Sequence, residues 1–102
     1  MARLKVGASI TNYNEVTELI INLINQTNKF NAEFIVNIAN NYIQGSNLDI
    51  TEKEMSRRVH TVLDVMQLYE CIVYSNGEYT VVSKDFSIVE YNKHNNRSDI
   101  ML

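Results

Sequence analysis

The stretch "EMSRRVHTVLDVMQLY", from Glu54 to Tyr69, holds the side chains of this chain best suited to recognition chemistry: adjacent Arg57 and Arg58, then His60 and Thr61. An arginine presents a planar fork of donors that matches a phosphate, or the O6 and N7 edge of guanine. His60 can donate to a phosphate or a base edge, more strongly when protonated. Thr61 can contact a phosphate or a thymine methyl group. The spacing says how they are presented. Met55, Val59, Val62, Met66 and Tyr69 recur at helical intervals, widened by Leu63 and Val65, and predict one buried face. At about 100° per residue the opposite side carries Lys53, Arg57, His60 and Asp64, with Thr61 beside them and Arg58 toward one flank. Ordinary solvated charge is the plain alternative, because Glu54 stands three and four residues ahead of the two arginines.

Other chemistries find little support. The sequence shows no paired carboxylates, no phosphate-cradling glycine loop and no metal-ligand cluster. Cys71 is the only cysteine, which excludes an internal disulfide, and with His60 and His94 it falls short of a structural zinc set. His60 near Ser56 or Thr61 is a common helical coincidence and implies no nucleophile. The tyrosines at 42, 69, 74 and 79 read as core or core edge. Neither an enzyme nor a cofactor is expected.

The elements that position the arginines are legible in turn. At 102 residues, with 45% apolar and 21% charged side chains, the chain is the size and composition of one domain. It has no proline and three glycines, so regular elements with brief links are expected. Asn12 or Asn14 can cap a first helix whose stripe is Val16, Leu19, Ile20, Leu23 and Ile24. "QTNK" ends it. Asn31 can cap a second helix, with Phe30 and Ile35 as a hydrophobic staple and Phe34, Ile35, Ile38, Ala39, Tyr42 and Ile43 facing inward. Gly45 is suited to the left-handed turn that closes it. Thr51 and Glu54 form a capping box for the third helix, with Ile50 and Met55 repeating the staple. "CIVYSNGEYTVV" then changes period, and Asn76-Gly77 predicts a two-residue hairpin pairing Tyr74 with Tyr79 and Ile72 with Val81. Beyond Ser83, "KDFSIVEY" fits a strand or short helix, and "NKHNNRSD" a flexible stretch.

Three helices followed by a two-stranded hairpin is the order of an α+β winged helix-turn-helix. Residues 1–11 form a basic lead, 12–83 the domain, and 84–102 an extension whose apolar end, Ile100 to Leu102, is suited to packing or self-association. No segment reaches the ~20 apolar residues of a membrane span, and the start lacks the apolar run of a secretory signal, so an intracellular protein is expected, nuclear in a eukaryote and otherwise cytoplasmic.

"SRRVHTVLDVMQLYECI" resembles the recognition helix of the DP-type cell-cycle transcription factors and their retinoblastoma-binding partners. That family carries an Arg-Arg-x-Tyr-Asp signature, then a hydrophobic Asn-Val-Leu segment and the wing. Arg57 and Arg58 match its arginines, Val59 its variable apolar site, and Leu63 and Val65 its following core positions. His60, Thr61 and Asp64 depart from its tyrosine, aspartate and asparagine. The resemblance implies that Arg57 and Arg58 read G·C pairs in a major groove. The expected function is a sequence-specific regulator of transcription on double-stranded DNA. It would act as a homodimer, because one such domain covers little DNA. Lys53 would touch the backbone, and Arg3 and Lys5 would act as an arm on phosphate or a minor groove. Against this stand a net charge of −3 and a wing tip, "SNGE", without a cation. Both favour a winged helix used for protein contacts.

Overall fold

A computed structural model describes residues 12–44 and 48–101, with side chains to residue 95. The elements are α1 (Tyr13–Asn25), β1 (Lys29–Phe30), α2 (Ala32–Ile43), α3 (Glu52–Leu68), β2 (Ile72–Ser75), β3 (Glu78–Val81) and α4 (Ile88–Met101). Helices and one antiparallel sheet, of order β1-β3-β2, make a small α+β fold.

Side-chain oxygens set the three helix starts by accepting otherwise unpaired backbone N–H groups. Asn12, rather than Asn14, accepts from Glu15 at 2.9 Å, Asn31 from Phe34 at 2.8 Å, and Thr51 from Glu54 at 3.1 Å. The predicted stripes of α1 and α3 are buried almost completely. On α2 only Ile35, Ala39 and Ile43 are fully inside, whereas Ile38 and Tyr42 sit at the core edge. Phe34 is exposed, contrary to expectation, because it lies about 100° around the helix from the buried line of Ile35, Ala39 and Ile43. Tyr69 also leaves the inner face. As the C-cap of α3 it meets Phe86 and His94 edge-on. The expected role of Gly45 lies outside the described residues.

The hairpin takes the predicted register, Tyr74 opposite Tyr79 and Ile72 opposite Val81. Asn76 and Gly77 have φ of 54° and 80°, the positive pair that a tight hairpin turn requires. The third strand is the departure. Lys29 pairs with Thr80 and Phe30 with Tyr79, and the N–H of Val81 donates to Asn28 at 2.8 Å. Phe30 lies flat on Tyr79 with centroids 5.3 Å apart, and Tyr79 meets Tyr74 at 4.7 Å, so each strand contributes one ring.

The second correction concerns the tail, which is helical across "NKHNNRSD". The Ser87 hydroxyl donates to the Glu90 carboxylate at the start of α4, while Phe86 and Tyr91 enter the core. The link before α4 is pinned as well. Lys84 Nζ donates to the carbonyls of Asn25 and Thr27 at 2.9 and 2.8 Å, where the dipole of α1 favours a cation. Asn25 Nδ2 donates to the Phe86 carbonyl at 2.9 Å.

Helix α3 ends in a six-residue closure. The N–H of Cys71 donates to Met66, and that of Glu70 to Gln67, both at 2.9 Å. This closure puts Glu70 at φ 61°, where a glycine would carry no Cβ penalty. Glu70→Gly is therefore expected to raise stability by about 0.5–1 kcal/mol. A thermal melt reads this directly, and a lowered midpoint would show that the left-handed residue is not strained. Cys71 itself is buried, with its thiol pushed up by that burial, and belongs to the core.

Candidate nucleic-acid interface

Lys53, Arg57, His60, Thr61 and Asp64 are all exposed on α3, opposite the side that packs into the core. The helix thus presents a polar stripe whose first two turns are mostly cationic. Arg57 is the most prominent, with 73% of its side chain open to solvent. Thr61 Oγ1 donates back to the Arg57 carbonyl at 3.0 Å, which leaves its methyl group and oxygen lone pairs to face outward.

The two arginines have different surroundings. Arg57 Nη2 contacts both oxygens of Glu54 at 2.7 Å. Arg58 is only 27% exposed, and its Nε lies 3.3 Å from Glu54 Oε2. That contact pairs the charges but is not aligned as a hydrogen bond, so the buried Nε–H lacks an acceptor among the described residues. The Arg58 guanidinium lies over the ring of Tyr13, 4.3 Å from its centroid. Such stacking is worth about 0.5–1 kcal/mol at a partly exposed site and ties α3 to the start of α1. Among the described residues one carboxylate therefore serves two guanidinium groups.

Sequence spacing located Glu54 beside both arginines, since three and four residues bring helical side chains together. Tyr13 carried no such signal, because it is 45 positions away from Arg58 along the chain. A cleft of about 160 Å³ adjoins the cluster, lined by Thr17 of α1, Glu54, Arg57, Arg58 and Thr61 of α3, and Tyr91 of α4. Tyr91 was equally invisible in the sequence as part of a site. Arg3 and Lys5 lie outside the described residues. The hairpin tip is exposed and carries Glu78 but no cation.

The Arg57 hydrogen bond holds the Glu54 carboxyl below its ordinary value of 4.5, with Coulombic help from both arginines against partial desolvation. Because the folded value is the lower one, the pair stabilises the fold above the unfolded carboxylate range. That contribution is lost as pH falls through the depressed folded value. The side-chain carboxyl resonance of Glu54 should accordingly titrate below the ordinary value of 4.5. A midpoint at that ordinary value would mean that the contact does not persist in solution.

The protein is a small α+β domain whose third helix exposes Lys53, Arg57, His60, Thr61 and Asp64. The chain matches no protein-family model, and no curated protein or solved structure matches it. Among the described residues, no cluster of His, Cys, Asp or Glu could hold a metal ion, and no helix is long and apolar enough to cross a membrane.

Proposed function

We propose that this chain is a winged-helix domain that binds double-stranded DNA sequence-specifically through α3 and regulates transcription. The exposed stripe of Lys53, Arg57, His60 and Thr61 carries the reading, because it lies on the third helix of an α1-β1-α2-α3-β2-β3 order. A major groove admits such a helix, and Arg57 is the side chain best placed to read guanine. Lys53 meets the phosphate backbone. His60 and Thr61 contact base edges or phosphates further along. Arg58 serves mainly as a positioning residue, since Tyr13 and Glu54 hold it at the rim. A modest footprint for one copy favours two copies on a two-fold site.

A specific observation supports a second reading, a winged helix that docks on protein. Carboxylates outnumber basic side chains across residues 12–95. The hairpin also exposes Val73 and Tyr74 rather than cations. Salt separates the two. If several phosphates are neutralised, log affinity for a duplex falls linearly and steeply with log salt concentration. Absence of duplex retention at low salt, with a protein partner recovered instead, would give the case to the second reading.

A further inference from the structure

We propose that the cleft between α1, α3 and α4 binds a small tetrahedral oxyanion, either inorganic phosphate or the phosphate end of a small monoester. Both arginines line this cleft, and among the described residues Glu54 supplies the carboxylate that pairs with them. Arg57 uses a single nitrogen, Nη2, for both Glu54 oxygens, so the rest of its planar fork is available to a second anion. Arg58 adds a second positive charge to the wall, while its own Nε–H is enclosed beside Glu54 and faces no ligand.

The remaining walls fit the same ligand class. The hydroxyls of Thr17 and Thr61 donate to the backbone carbonyls of Tyr13 and Arg57, so each has only lone pairs left to offer another donor. A monoprotonated phosphate supplies such a donor, whereas chloride does not. The cleft, of about 160 Å³, has room for a phosphoryl group against its arginine wall. Glu54 competes for the same cations, so it sets the affinity. In effect its carboxylate is an internal substitute for the ligand.

This competition makes the test asymmetric. The full chain is titrated with inorganic phosphate, and separately with glycerol phosphate, against chloride at matched ionic strength, following backbone amide resonances. Saturable shifts at Arg57, Arg58, Thr61 and Tyr91 are expected with phosphate and absent with chloride. Glu54→Gln should tighten phosphate binding about threefold to fivefold, the range of an exposed charge pair, and Arg57→Gln should weaken it. Tighter binding of glycerol phosphate would identify a monoester as the ligand, and weaker binding the free ion. A response equal to that of chloride, or a Glu54→Gln variant that binds phosphate no better than wild type, would overturn the proposal. No duplex enters this experiment, so its outcome is separate from that of the DNA reading.

Discussion

Arg57→Ala is expected to lower affinity for a preferred duplex about tenfold or more and to relax selection at one base position. The size follows from what the side chain offers. A guanidinium on a guanine edge makes two parallel hydrogen bonds, and alanine leaves the base acceptors without a partner. Lys53→Ala should act differently, weakening all duplexes alike and reducing the salt slope by about one, because a phosphate contact carries no sequence information. Glu54 sharpens the comparison. In wild type Arg57 must partly exchange this carboxylate for DNA, so Glu54→Gln should bind duplex more tightly than wild type. Competition binding on randomised duplexes measures all three variants together. Equal affinities of wild type and the Arg57→Ala, Arg58→Ala double variant would end the DNA reading.

Phe30→Ala is expected to cost about 3–5 kcal/mol, a large fraction of the stability of a domain this size. Phe30 is almost wholly buried and lies against Tyr79. It occupies half of the two-residue β1 and directly precedes the Asn31 cap of α2. Truncation therefore opens a cavity at the point where strand, sheet and helix start meet. Urea unfolding of the variant gives the loss. Phe30→Leu, which keeps most of the volume, should recover more than half of it. A cost near that of a surface substitution would mean that β1 is not integral to the fold.

The elements with repeated side-chain signals were legible in the sequence, and those made by pairing were not. Asn12, Asn31 and Thr51 cap as their types predict, and the stripes of α1 and α3, Tyr69 excepted, are buried as their spacing requires. Asn76-Gly77 specified the hairpin and its register. Strand β1 escaped because two residues cannot show an alternating pattern, and its bonds come from β3, about fifty positions later. Helix α4 did have a local signal. Ser87 and Glu90 are a Ser-x-x-Glu capping pair, masked by the polar run that follows. At the candidate site, helical geometry fixed which side chains of α3 face outward. It could not reveal that Tyr13 supports Arg58 or that Tyr91 walls the cleft, since both contacts depend on how separate helices pack.

The clasp of Lys84 and Asn25 has a mechanical consequence. It fastens the stretch leading into α4 to one end of α1, while the Tyr13 ring under Arg58 sits at the other. Thirteen helical residues separate these points by about 20 Å. Helix α1 is therefore a rigid spacer: it sets the distance between the anchor of the tail at one end and the ring beneath the second arginine at the other.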